Sequence, residues 1–239
     1  MVLGAKLLTE MVGTFLFFSV IALSGGAGPL APLAIGLALV VMVYMGGHVS
    51  GAHYNPAVTF GVFLRRKIGL TELVTYWAVQ LLAAALAFGF GYLVSGHTPG
   101  IHPGARVQAL QALAVEVAFT AVLMTVVLNT AVNRATQGNS FKGLAIGLTI
   151  GAAVFVGGPI SGGAFNPAVG FGATLGAAAF AGGAWSDIWI YIVGPLLGAA
   201  IGAGVHWIQT AGNKMATEPS QGYPSPGAPA PVPEGPPAT

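Results

Sequence analysis

The chain has 239 residues and a formal charge of +2; 6% of its residues are charged and 55% are hydrophobic. A water-facing domain carries roughly 25% charged residues, so this chain is not built to be wetted on all sides, and so small a net charge argues against a nucleic-acid partner. With no cysteine there is no disulfide framework and no thiolate nucleophile or metal ligand, and no nucleophile–base pair is evident, so no catalytic residue, metal or cofactor is expected.

Six apolar segments follow one another, at about 4–24, 31–47, 72–94, 108–131, 143–158 and 187–210. Each approaches the ~20 residues that cross a bilayer as a helix. The first is not a signal peptide, because Glu10 lies inside it and the pair Glu10 and Thr14 returns as Glu116 and Thr120 in the fourth. The second and fifth segments are short. Each leads through a Gly-rich stretch into a further apolar run, about 55–64 and 166–176, too short to span. Interrupted segments at matching places in two halves point to a pore or binding site. Beyond about residue 211 the character changes: residues 211–239 hold eight of the sixteen prolines, and a disordered cytoplasmic tail is expected there. The expected organisation is one membrane domain over 1–210, with repeats at about 4–94 and 108–210, followed by that tail.

The repeat is gap-free. Residues 33–61, LAIGLALVVMVYMGGHVSGAHYNPAVTFG, and 144–172, LAIGLTIGAAVFVGGPISGGAFNPAVGFG, are identical at 16 of 29 positions at a constant offset of 111. Each half has three spans, an odd number, so the second half is inverted relative to the first. The basic residues agree. Lys6, Arg65, Arg66, Lys67, Arg134, Lys142 and Lys214 fall on one side of the six-span topology and Arg106 alone on the other. The positive-inside rule then puts both termini in the cytoplasm. The fold class is an all-α membrane protein: six transmembrane helices plus two re-entrant half-helices in an inverted repeat.

The boxes Asn55-Pro56-Ala57 and Asn166-Pro167-Ala168 are helix starts. Asn caps free N–H groups, and Pro suits the first helical position, where its missing N–H costs nothing. Inverted topology brings the two half-helices in from opposite faces, so their N-termini, each carrying about half a positive charge, meet near the midplane and repel cations. Each Asn amide group is then free to donate to a solute. The irregular backbone before each box, Ser50 to His53 and Ser161 to Ala164, is tolerated at membrane depth only where it is buried or lines a wet cavity. The carbonyls of Gly51, Ala52, His53, Gly162, Gly163 and Ala164 are therefore read as an acceptor rail. Donors at the centre and acceptors along the wall suit a small neutral polar solute.

GGHVSGAHYNPAV, GGPISGGAFNPAV and the sixth-span stretch YIVGPLLGAAIG resemble the aquaporin, or major intrinsic protein, family over residues 4–210. The resemblance implies a bundle of six tilted helices, one pore per subunit and a homotetramer in membrane lipid. It also implies that Glu10 and Glu116 are structural, accepting hydrogen bonds from the loops before the boxes. The family's second constriction maps onto Ile35, Val154, Gly163 and Val169. Orthodox water channels have Phe, His, a small residue and Arg there; some plant vacuolar-membrane aquaporins share the Val at the last position. The expectation is a wider, apolar filter without the five-donor fork of arginine, hence a passive water channel that also admits ammonia, urea, glycerol or hydrogen peroxide. A facilitator mainly for one of those solutes, a secondary transporter and a structural membrane-junction protein are the alternatives. A plasma-membrane location is expected. His53 is read as passive pore lining rather than a pH gate, His97 and His102 as solvent-exposed, and His48 as a packed loop residue.

Overall fold

The structure is a computed structural model and describes residues 1–211; the expected Pro-rich tail, apart from Ala211, lies outside the described residues. Its elements are helices: α1 (Leu3–Leu23), α2 (Ala31–Gly46), α3 (Pro56–Leu64), α4 (Leu70–Ser95), α5 (Ala109–Val127), α6 (Lys142–Ser161), α7 (Pro167–Phe180) and α8 (Ile188–Ala211). A 3₁₀ run, Ser24–Leu30, joins α1 to α2, and a π-turn, Leu128–Val132, extends α5. Five continuous helical stretches among the described residues are long and apolar enough to cross a membrane, the first being Leu3–Gly46 with 44 residues. At 1.5 Å per residue such a stretch would be about twice as long as a bilayer core is thick. It is broken at Gly28, whose φ of 52° is not helical. It therefore supplies two spans, and the spans number six.

Polar contacts between distant helix ends fix the topology. Lys6 Nζ donates to Glu72 Oε1 at 2.5 Å, joining the starts of α1 and α4. Tyr44 Oη donates to the Ser140 carbonyl at 2.9 Å, joining the end of α2 to the start of α6. Arg65, just past α3, donates to His206 Nδ1 at 3.0 Å and Thr210 Oγ1 at 3.1 Å near the end of α8. Asn129 Nδ2 donates to Gln209 Oε1 at 2.7 Å and brings the end of α5 to the same end of the bundle. Lys6, Arg65, Arg66, Lys67, Arg134 and Lys142 flank helix ends on this face, whereas Arg106 precedes α5 at the other. The charge asymmetry of the sequence is thus an asymmetry of the folded bundle.

Helices α1 and α4, α2 and α6, and α5 and α8 pack in pairs. Small residues make the close approaches, since van der Waals packing must replace the hydrophobic effect in lipid. A Cβ on Gly36 would lie 2.9 Å from both the Gly147 carbonyl and Gly151 Cα, so α2 and α6 meet backbone to backbone around two repeat-related glycines. The stripe of three glycines at four-residue spacing, Gly194, Gly198 and Gly202 of α8, turns inward onto α5. Added Cβ atoms there would lie 2.7 Å from Glu116 Cβ, 2.8 Å from Thr120 Cβ and 2.7 Å from Met124 Cβ. The outer faces carry exposed apolar side chains such as Leu37, Val41, Leu86, Leu148 and Ile201, as a lipid-facing surface requires.

Some boundaries differ from the sequence expectation. Helix α6 runs through Pro159 to Ser161 and stops only at Gly162, whose φ of 96° caps it; the irregular stretch before the second box therefore begins at Gly162, not Ser161. Helix α7 continues to Phe180, four residues past the expected end, where the Phe180 ring stacks on Tyr92 at 4.1 Å. Its 14 residues still reach only about two-thirds of a bilayer core. His48 is exposed rather than packed, because it sits in a turn that ends α2 at the membrane face. His97 and His102 are exposed as expected.

Candidate functional site

Asn55 and Asn166 take up matching extended conformations, φ −159° and −162°, and cap α3 and α7. The Asn55 Oδ1 accepts from Ala57 N at 2.8 Å and Val58 N at 3.4 Å, and the Asn166 Oδ1 from Ala168 N at 3.0 Å. Pro56 and Pro167 stand in the first turn, where no donor is missed. The two caps are also tied to each other: Asn55 Nδ2 donates to the Phe165 carbonyl and Asn166 Nδ2 to the Tyr54 carbonyl, both at 2.9 Å. One amide N–H of each Asn is therefore spent on this reciprocal clasp. The expectation of a wholly free NH₂ is corrected to one remaining N–H on each side.

The chain before each box is held in a repeated, strained path. Gly51, Ala52 and Tyr54 have φ of 93°, 53° and 48°; their counterparts Gly162, Gly163 and Phe165 have 96°, 74° and 48°. Positive φ is unfavourable for Ala, Tyr and Phe and persists only where surroundings impose it. Two buried carboxylates do so. Glu10 Oε1 accepts from Ser50 Oγ at 2.7 Å and His53 N at 2.9 Å, and its Oε2 from Tyr54 N at 2.8 Å and Gln80 Nε2 at 2.9 Å. Glu116 Oε1 accepts from Ser161 Oγ at 2.8 Å and Ala164 N at 3.0 Å, and its Oε2 from Phe165 N at 2.6 Å. Tyr76 and Tyr191 complete the pair, donating to the carbonyls of Ser50 at 2.8 Å and Ser161 at 2.6 Å. With the loop N–H groups drawn to the carboxylates, the carbonyls of Gly51, Ala52, His53, Gly162, Gly163 and Ala164 accept no hydrogen bond from the described residues.

These features surround one narrow cavity, with about 50 Å³ open to the centres of water molecules. Asn55, Asn166, Gly51, Ala52, His53, Gly163 and Ala164 line it, and so do all four expected filter residues, Ile35, Val154, Gly163 and Val169. Pro56, Ala57, Pro167 and Ala168 do not, although all four are buried. Gly162 also stands behind the lining, against Ile101, His102 and Tyr191. The remaining wall is apolar and includes Phe17, Ile21, Leu39, Val58, Leu123, Val127, Ile146 and Ile150. Of these, Ile146 and Val58 are the 111-offset partners of Ile35 and Val169, so the repeat itself carried the signal for them. Tyr76 and Tyr191 sit at matching places in the third and sixth spans. Gln80 and Thr59 have no polar counterpart in the second half and no local pattern that marks them.

Two inverted halves, each carrying a capped half-helix whose N-terminus borders a shared cavity, define a polytopic membrane protein with a cavity between its two halves. The family model "Major intrinsic protein" matches residues 3–206, and the chain belongs to that family of transmembrane channels. It is 39% identical over 187 residues to "Probable aquaporin TIP3-2" of Oryza sativa subsp. japonica, covering 77% of this chain and 69% of that one. It is 37% identical over 212 residues to "Aquaporin NIP1-1" of Zea mays, covering 83% and 72%. Among solved structures, the aquaglyceroporin from Plasmodium falciparum superposes with a TM-score of 0.66 at 22% identity, over 84% of this chain and 95% of that one, which shows the shared fold. The relatives are channels, and the chain is an integral multi-pass membrane channel protein of the aquaporin type, not an enzyme.

Proposed function

We propose that the cavity is the conduction path and that it passes water together with other small neutral solutes. The observation that carries this reading is the composition of its wall: loop carbonyls without a partner among the described residues, two capping Asn amides and His53 against an otherwise apolar surface. A single-file solute keeps hydrogen bonds on one side only, which suffices for water and for small amides or ammonia. Val169 stands where an arginine would narrow the mouth, and Ile35, Val154 and Gly163 add no polar group. Cation exclusion falls to the N-termini of α3 and α7, whose partial positive charges face the same midplane point.

The domain is proposed to run over 1–210, to assemble as a homotetramer in lipid, and to lie in the plasma membrane with both termini cytoplasmic. The basic residues gathered at one end of the bundle support that orientation. Crosslinking in membranes tests the tetramer, and a fluorescent fusion tests the location. The function itself is tested by stopped-flow light scattering of proteoliposomes. Water permeability above protein-free liposomes is expected, with flux of urea and ammonia linear in gradient and without accumulation. No water flux, or water flux with strict rejection of both solutes, would refute the proposal.

A further inference from the structure

The first half of the repeat carries a polar chain that the second lacks: Glu10, Gln80, Thr59 and His53, against Glu116, Pro195, Gly170 and Ala164. Its donors and acceptors can be assigned one by one. Every partner of Glu10 is a donor, so its carboxylate accepts throughout. Gln80 must therefore turn its NH₂ toward Glu10 Oε2, at 2.9 Å, and it does so although its own buried Oε1 has no partner among the described residues. The same NH₂ donates to Thr59 Oγ1 at 3.1 Å. The single Thr59 hydroxyl hydrogen has two acceptors in reach, and it is assigned to the Asn55 carbonyl at 2.9 Å, the i−4 back-bond of a helical threonine, rather than to His53 Nδ1 at 3.1 Å. With its hydrogen so placed, Thr59 Oγ1 has nothing left to donate to His53 Nδ1, 3.1 Å away, and accepts from it.

We infer that Thr59 and Gln80 are positioning residues that hold His53 in the Nδ1–H tautomer, so that Nε2 faces the cavity as a bare acceptor. The geometry around the ring agrees. His53 lines the cavity, packs edge-on against Tyr76 at 5.2 Å, and has no partner on Nε2 among the described residues. Gly51 keeps that nitrogen open, since a Cβ there would stand 3.0 Å from Nε2. The cytoplasmic half of the cavity thus gains a side-chain acceptor beside its carbonyls, while the repeat-related Ala164 supplies none. A solute with spare N–H groups, such as urea or ammonia, finds an extra partner there after accepting from the Asn amides.

The inference rests on the cavity being the conduction path only for its effect on flux; the tautomer is measured without it. Nitrogen-15 solid-state NMR of histidine-labelled channel in liposomes at neutral pH, with His53 assigned through its contact to the Tyr76 ring, reports which nitrogen holds the proton. Nδ1–H is expected in the native chain and in Thr59→Ser. Thr59→Val cannot accept, so the proton moves to Nε2, where cavity water can take it; Gln80→Met gives a mixture. The urea-to-water flux ratio is expected to fall about threefold in Thr59→Val relative to Thr59→Ser, the factor that one net hydrogen bond of modest strength makes. Nε2–H in the native chain, an unchanged tautomer in both Thr59→Val and Gln80→Met, or a shifted tautomer with an unchanged flux ratio would each overturn the inference. Absence of any flux from the native chain would instead sink the proposed conduction path and leave the tautomer result standing.

Discussion

Glu116→Gln is the sharpest probe of how the site is held. The carboxylate accepts from Ser161 Oγ, Ala164 N and Phe165 N, and both it and Phe165 are fully buried. Gln keeps the shape but replaces one acceptor oxygen by a donor. If the carbonyl stays with Ser161 and Ala164, the new NH₂ confronts the Phe165 N–H, now 2.6 Å from Oε2. That leaves a buried donor unsatisfied, at about 1–3 kcal/mol, and weakens the two other charge-assisted bonds. A loss of about 2–4 kcal/mol is expected, or roughly 5–15 °C in unfolding temperature for a chain of this length. The positive φ of Phe165 is then left to the Asn55 bond on its carbonyl and to the packing of its ring on Phe119, so the Gly163 and Ala164 carbonyls are less firmly aimed. Water permeability per channel should fall several-fold in liposomes. Native unfolding temperature and native flux in Glu116→Gln would refute the claim that the carboxylate sets the loop.

Three further outcomes follow from the same geometry. Val169→Arg adds a cation and five donors at the apolar filter, so urea flux should fall at least about tenfold while water flux persists; equal loss of both would mean that Val169 does not set solute width. Gly198→Val places carbons within 3 Å of Thr120 Cβ and the Ala121 nitrogen on α5; prising α8 from α5 should cost about 1–3 kcal/mol, read as a lower unfolding temperature. Asn166→Ala strips the Tyr54 carbonyl of its donor and α7 of its cap; a rise in cation conductance across planar bilayers is expected, and an unchanged conductance would remove the clasp from the account of ion exclusion.

Much of this protein is a consequence of local sequence. Apolar length sets the spans, because a helix alone satisfies its backbone in lipid. Asn-Pro starts a helix whatever surrounds it, so α3 and α7 begin where the two boxes stand. The repeat at an offset of 111 implies the inversion, and the basic residues, read along the sequence, already gather on one side of the spans. The four residues that the family resemblance marks as a filter, Ile35, Val154, Gly163 and Val169, line one cavity. Tertiary structure decided the rest, for a physical reason: a side chain's chemistry in the bundle depends on partners far along the chain. The boxes were expected to offer free amides, but Asn55 finds the Phe165 carbonyl 110 residues away and spends an N–H on it. The glycine stripe of α8 has a direction only once α5 is beside it. Gln80 carries no local mark, yet its NH₂ meets an acceptor in both Glu10 and Thr59, and the tautomer inferred for His53 rests on that contact.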